Sequence, residues 1–240
     1  MKKILKILPF AAVIILISVF FIYTADYYRA DTSAEKALAS GGGVTVEKAD
    51  YGFFFDGPGE DSALIFYPGG KVEETAYAPL LSELAQNGVD AFLVKMPFHL
   101  AFFGMNKAQE IIDSYDYSRF YIGGHSLGGV ACSSFAAKHP DSPDGVILLA
   151  SYPAEKLGEN LDTVLIYGSE DGVLNMEKYE KSKSLLPASF REYVIEGGNH
   201  AFFGSYGSQD GDGRAKITPS QQIAETVDII TKTINNREEK

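Results

Sequence analysis

Short apolar runs alternate with amphipathic stretches along most of the chain. The compact runs, rich in β-branched and aromatic residues and bounded by Gly, Pro, Asn or Asp, predict strands near Val44–Val46, Tyr51–Phe55, Ala63–Tyr67, Ala91–Lys95, Phe120–Ile122, Gly145–Leu149, Thr163–Tyr167 and Glu192–Ile195. Between them, apolar residues at helical spacing predict helices over Glu74–Asn87, Leu100–Ser114, Leu127–Lys138, Met176–Leu186 and Ser220–Asn236. Strands that alternate with helices imply an α/β fold: a mostly parallel eight-stranded sheet with helices on both faces. The first two strands, joined by a short turn, fit an antiparallel edge. No internal repeat or low-complexity tract interrupts the pattern.

One segment departs from it. Ile7 to Tyr23 is uncharged and strongly apolar, and Lys2, Lys3 and Lys6 precede it while Asp26, Asp31 and Glu35 follow. This run is at the short end for a membrane span, and the charge asymmetry predicts an anchor with its start inside and the rest outside the cytoplasm. Residues 1–23 are therefore expected to be a membrane anchor or uncleaved signal, residues 24–43 a flexible polar linker ending in Gly41-Gly42-Gly43, and residues 44–240 a catalytic domain. The alternative is a secreted enzyme cleaved after Ala37-Leu38-Ala39. No cysteine stands near the end of the run, which excludes a lipoprotein anchor.

The 240 residues leave room for one core beyond the anchor. The net charge of −11 becomes −14 once the three anchor lysines are set aside, with 18 basic against 32 acidic residues. Such a domain is repelled by nucleic acid and by anionic headgroups. The single cysteine, Cys132, cannot form an internal disulfide and reads as a small buried hydrophobe. No cofactor motif or metal-ligand spacing is present; Asp210-Gly211-Asp212-Gly213 resembles a calcium loop only weakly and reads as a solvated turn.

The chemistry lies at the ends of the strands. Gly124-His125-Ser126-Leu127-Gly128 follows a strand and opens a helix, the setting of a nucleophile elbow, where a strained turn projects the serine hydroxyl into a pocket. A serine needs a base and the base needs an orienting acid, here expected in the chain order serine, acid, histidine. Asp171 follows the strand Thr163–Tyr167, and His200 follows Glu192–Ile195, so all three groups fall at one sheet edge. Glu170 competes with Asp171 for the acid role. Of the other histidines, His125 reads as a neighbour of the elbow, His139 as a helix C-terminal residue, and His99 as either structural or pocket-lining. A developing oxyanion needs preorganised donors. The backbone N–H of Leu127 supplies one, and the loop Pro68-Gly69-Gly70-Lys71 the other, through Gly70 or, failing that, Lys71.

Together, Tyr67-Pro-Gly-Gly-Lys-Val, Lys95-Met-Pro-Phe-His-Leu-Ala, Gly123-Gly-His-Ser-Leu-Gly-Gly, Tyr167-Gly-Ser-Glu-Asp and Gly197-Gly-Asn-His-Ala-Phe-Phe-Gly resemble the α/β-hydrolase superfamily. More narrowly they are similar to its compact, lid-less "α/β-hydrolase fold-5" bacterial group, which shares its layout with dienelactone hydrolases. The resemblance covers about residues 44 to 237 and implies the three-layer hydrolase fold, a Ser126–Asp171–His200 triad and an oxyanion hole from Gly70 and Leu127. Dienelactone hydrolases use a cysteine nucleophile. Ser126 stands there in this chain, so that substrate class does not carry over.

Only Ala150 to Asp162 separates two successive strands after the elbow helix, too short for a lid domain. The site is thus expected to be open, with Lys71, His99 and Phe202 as pocket residues and Phe98, Phe102, Phe203 and Tyr206 among the bordering aromatics. Small or short-chain acyl esters suit such a site. A peptidase or amidase would use the same triad, and a non-catalytic binding protein on this fold remains a third class.

Overall fold

The apolar runs pair into a single sheet in the order β1-β2-β4-β3-β5-β6-β7-β8. The strands are β1 (Thr45–Ala49), β2 (Gly52–Asp56), β3 (Ser62–Tyr67), β4 (Asp90–Val94), β5 (Arg119–His125), β6 (Gly145–Leu149), β7 (Asp162–Gly168) and β8 (Arg191–Ile195). All eight expected strands are present, with ends moved by a few residues. β1 and β2 are antiparallel to each other, β2 is antiparallel to β4, and the rest are parallel. This computed structural model describes residues 2–235, with side chains described from residue 13 onward.

Parallel strands covered on both faces must be apolar on both faces, and β3 meets that demand from Ala63 to Tyr67. Leu64 and Phe66 enter one core with Leu80, Leu81 and Leu84 of α3 (Ala78–Gln86) and Ile223, Val227, Ile230 and Ile234 of α7 (Pro219–Asn235). Ala63, Ile65 and Tyr67 enter the other, with Ala108 and Ile111 of α4 (Lys107–Ile112), Ala131, Cys132 and Phe135 of α5 (Leu127–Lys138), and Tyr179 of α6 (Met176–Ser182). The α7 residues recur every three or four positions, so one stripe is buried while the opposite face stays polar. Truncating a fully buried leucine such as Leu84 to alanine costs about 2–5 kcal/mol. Cys132 is buried as expected, its Sγ donating to the Gly129 carbonyl, and burial pushes its thiol pKa up. No helix stands between β6 and β7, so no lid domain is inserted there.

Two expectations are corrected. The continuous helix over Leu100–Ser114 is broken into 3-10 turns at Pro97–His99 and Ala101–Phe103 before α4 begins. The reason is local: Phe98 and His99 both have positive φ, which no helix accommodates. Residues 24–43 are not a flexible linker. Asp31 caps α2 (Thr32–Ala37) by accepting from the Ser33 and Ala34 amides, and Tyr28 joins the loop after β3 through its N–H to Lys71 O (2.8 Å) and its carbonyl from Glu73 N (2.9 Å). Asp31 N–H is bound in turn by Ser205 O at 2.8 Å.

The N-terminal segment is described only in part. The backbone of α1 runs Lys2–Ala25, but Met1 and the side chains through residue 12 of the expected anchor lie outside the described residues, as does Asn236 of the last expected helix. Among the described residues no helix is long and apolar enough to cross a membrane. The described part of the apolar run, Val13 to Tyr23, falls short of the ~20 residues a span requires.

Candidate active site

Parallel pairing sends the carboxyl ends of β3, β5, β7 and β8 to one edge of the sheet, with Tyr67 opposite Gly124 and Gly168 opposite Ile195. The loops that leave those ends carry the chemistry-bearing residues. Ser126 links β5 directly to α5 at φ 51°, ψ −121°. A non-glycine residue held there costs roughly 1–3 kcal/mol, and its surroundings hold it. Its N–H donates to Leu149 O at 2.9 Å, and its carbonyl accepts from Ser151 Oγ at 2.7 Å. The flanking glycines are required by close approach. A Cβ on Gly128 would lie 2.2 Å from Tyr67 O, and one on Gly124 would lie 2.5 Å from the Gly128 carbonyl carbon.

Asp171 and His200 meet as expected. Asp171 Oδ2 lies 2.9 Å from His200 Nδ1, and both side chains are only 2% exposed. The other carboxylate oxygen accepts from the Val173 and Leu174 amides at 2.9 and 2.8 Å. With both its oxygens engaged, Asp171 directs the imidazole so that Nδ1 carries the proton and Nε2 presents a lone pair. Nε2 is buried with no hydrogen-bond partner among the described residues. His200 and Ser126 share the wall of one cavity of about 180 Å³, with Leu127, Val130, Tyr152 and Leu174 among its other walls. The hydrogen bond between Ser126 Oγ and Nε2 is not made here; catalytic hydrogen bonds of this kind often tighten only with substrate in place. Glu170, the competing acid, turns away to Lys216 Nζ at 2.6 Å.

Gly70 packs against the first residue of α5 so tightly that a Cβ there would lie 2.7 Å from Leu127 Cδ2. The amide of Lys71 is already committed to His99 O at 2.8 Å, and Lys71 Nζ to Asp26 Oδ2 at 3.1 Å. His125 is fully buried and serves the same loop. The Gly69 N–H donates to Tyr77 Oη at 3.0 Å, and the Tyr77 hydroxyl is hydrogen-bonded in turn with His125 Nδ1 at 2.8 Å. Burial, and then the neighbouring His200, hold the His125 pKa well below the usual imidazole range. Its ring centroid lies 4.5 Å from that of His200. His139 ends α5, its ring stacked on Phe135.

Several expected wall residues lie elsewhere. Lys71, His99 and Phe202 do not line the cavity beside Ser126. His99 stacks on Tyr27 with ring centroids 3.8 Å apart, and burial lowers its pKa. Phe203 and Tyr206 are in the core, whereas Phe98 and Phe102 face solvent. The described walls come instead from Ala150-Ser151-Tyr152 and Val173-Leu174-Asn175. These segments follow β6 and β7, and strand-end position was the signal that could have found them.

Asp212 is the residue that sequence reasoning missed. Its Oδ1 accepts from the amides of Gly172 (3.1 Å), His200 (3.2 Å) and Gly213 (2.8 Å), and Oδ2 from Ala201 (2.9 Å). One carboxylate thus ties the loop of the acid to the loop of the histidine. Behind it, Asn199 exchanges two hydrogen bonds with the fully buried Gln222 of α7. The expected solvated turn is therefore a brace, recruited by contacts across sequence that no local pattern announces.

A model of the alpha/beta hydrolase family matches residues 63–224. Among functionally curated proteins none matches this sequence. Solved structures share the fold at low identity. A dienelactone hydrolase from Anabaena variabilis superposes with TM-score 0.60 at 12% identity, over 81% of this chain and 98% of that one. For a monoacylglycerol lipase from Paleococcus ferrophilus the TM-score is 0.58 at 13% identity, over 79% and 99%. A predicted CIB-like hydrolase from Thermoplasma acidophilum gives 0.54 at 18%, over 78% and 98%.

Proposed function

We propose, for a chain that belongs to the alpha/beta hydrolase family, that it is a serine hydrolase cleaving small or short-chain carboxylic esters with Ser126, Asp171 and His200. The observation that carries this reading is the bond from His200 to Asp171, with Nε2 left without a partner among the described residues and His200 on the cavity that Ser126 also lines. His200 Nε2 takes the proton from Ser126 Oγ as that oxygen attacks the ester carbonyl carbon. The developing oxyanion is received by the N–H groups of Gly70 and Leu127. Collapse of this intermediate expels the alcohol, protonated by His200, and leaves an acyl group on Ser126. Water, deprotonated by the same Nε2, then releases the acid and restores the serine. Asp171 stays ionised throughout and stabilises the imidazolium.

The cavity supports a small acyl group. Its volume of about 180 Å³ is below the roughly 300–1,000 Å³ of pockets that hold drug-sized ligands. Esterases and lipases among the proteins of similar fold are consistent with ester substrates. The test is labelling by a fluorophosphonate and hydrolysis of a series of p-nitrophenyl esters, set against aminoacyl anilides. Acetyl to butyryl esters should be turned over and Ser126→Ala should lose both labelling and turnover; a preference for anilides would replace the esterase with an amidase.

We place residues 1–23 in the cell membrane, with the catalytic domain outside the cytoplasm. The support is the basic start, the apolar run, and the solvent exposure of Val13 through Leu16 on successive faces of α1. A helix apolar all round is made for an apolar surrounding. The full-length protein should resist carbonate extraction. A soluble form starting near Ser40 would instead identify a secreted enzyme.

A further inference from the structure

The loop after β4 exposes apolar surface for which the catalytic chemistry has no use. Phe98 and His99 are consecutive non-glycine residues at φ 57° and 54°. Each such conformation is disfavoured, and two in succession are sustained only where neighbours hold them. His99 is what is held: its ring lies on Tyr27 and its carbonyl accepts the Lys71 amide. The consequence is that Phe98 is turned outward. It is 42% exposed, with Phe102 at 49% and Phe103 at 56% in the 3-10 turn beside it.

These rings do not stand alone. Phe98 and Phe103 lie edge to face at 5.6 Å, and Phe20 of α1 lies 5.2 Å from the first and 5.9 Å from the second. Phe21 is 6.0 Å from Phe98. The patch is therefore continuous with the apolar surface of α1, which is exposed from Val13 to Tyr23 except at Phe20, half-buried against the patch. Around the junction stand Tyr23, Tyr27, Arg29 and Lys71, with Lys71 Nζ 4.5 Å above the Tyr23 ring and the Arg29 guanidinium 3.7 Å above that of Tyr27. Tyrosines and cationic side chains at the end of an apolar helix are the chemistry of the membrane–water interface.

We infer that Phe98, Phe102 and Phe103 dip into the outer interface of a lipid bilayer and hold the catalytic domain against it. This rests on the membrane-anchor reading of residues 1–23. The domain is then seated rather than tethered. Three ordered features agree with a seat: the aromatic contacts to α1, the Tyr28 pairing with the loop after β3, and the strained turn that presents Phe98. The oxyanion loop is one hydrogen bond from this seat, through Lys71 N–H to His99 O.

The chain contains no tryptophan, so a single introduced indole reports its own surroundings. Full-length Phe102→Trp, Ile15→Trp and Tyr193→Trp are each reconstituted into phosphatidylcholine vesicles, with and without bromine on the acyl chains near the headgroup. Ile15 reports the anchor, and Tyr193, exposed on β8 at the far edge of the sheet, reports the side away from the patch. With the patch seated, Phe102→Trp emits to the blue of an exposed indole and loses most of its emission to brominated lipid, while Tyr193→Trp loses none. Quenching of Ile15→Trp without quenching of Phe102→Trp leaves the anchor standing and overturns the seat. Failure of both removes the anchor as well. Equal quenching of Phe102→Trp and Tyr193→Trp means indiscriminate adsorption and also overturns it. Emission of Phe102→Trp that is blue-shifted but unquenched assigns the patch to a protein partner, a second copy included, and overturns the lipid assignment.

Discussion

Asp212→Ala tests whether the site is assembled by its brace. The substitution removes the acceptor for the amides of Gly172, His200 and Ala201, together with that of Gly213. Gly172 is exposed, so its N–H can turn to water at little cost. His200 and Ala201 are buried and cannot. Each buried amide left without a partner costs about 1–3 kcal/mol, so the two together cost about 4 kcal/mol. For a domain of this size 1 kcal/mol corresponds to roughly 2–4 °C in Tm, which places the expected loss near 8–16 °C. Asp212→Asn keeps one oxygen for three of the amides and fails only Ala201, so its loss should be about half of that or less. Catalysis should fall more steeply than stability alone explains. The His200 backbone is freed at its amide, and a displacement near 1 Å can cost ~10²-fold in rate. Differential scanning calorimetry and kcat/KM on p-nitrophenyl acetate, measured well below each variant's Tm, check both parts. A Tm within about 2 °C of wild type would refute the energetic argument; a large Tm loss with kcat/KM unchanged would refute the positioning argument.

Other outcomes follow from the same geometry. Ser126→Ala should lower ester turnover by several orders of magnitude while leaving Tm intact or raised, since alanine lacks the nucleophile yet keeps the elbow; residual activity of more than a few per cent in a clean preparation would discard Ser126 as the nucleophile. Asp171→Asn should cost on the order of 10⁴ in kcat, by analogy with the serine protease triad, through the wrong histidine tautomer. Glu170→Gln should be mild because Glu170 faces Lys216, and a reversal of these two effects would move the acid. Gly128→Ala should fail to yield stable protein, because its Cβ would meet backbone oxygen at 2.2 Å, and a variant with wild-type Tm would contradict the packing described. Folded His125 is held neutral, so as pH falls below about 6.5 only the unfolded chain takes up that proton and stability declines by up to about 1.4 kcal/mol per pH unit. His99, also lowered, acts in the same direction. Tm measured from pH 7.5 to 5 should fall in the wild type and fall less in His125→Asn; equal slopes would show that His125 titrates normally.

The sequence by itself determined the sheet and the identity of the groups gathered at its edge. Strand β6, and β3 from Ala63 onward, are apolar at every position because both faces are covered, and that continuous run is a local signal that survives without tertiary information. Ser126, Asp171 and His200 were legible for a related reason. Each follows a strand, parallel pairing carries all strand ends to one side, and the glycines around Ser126 mark an approach that admits no Cβ. Tertiary structure alone decided how the loops meet. Asp212 bracing His200, Tyr28 pairing with Lys71 and Glu73, and the choice of Asp171 over Glu170 rest on hydrogen bonds between segments far apart in the chain. The same is true of the broken helix at 97–112, where His99 is held by Tyr27 and Lys71. Such contacts have no period and no fixed spacing. A carboxylate in a loop looks the same in sequence whether water or four amides surround it, and only the folded chain, by excluding water from the amides of His200 and Ala201, settles which.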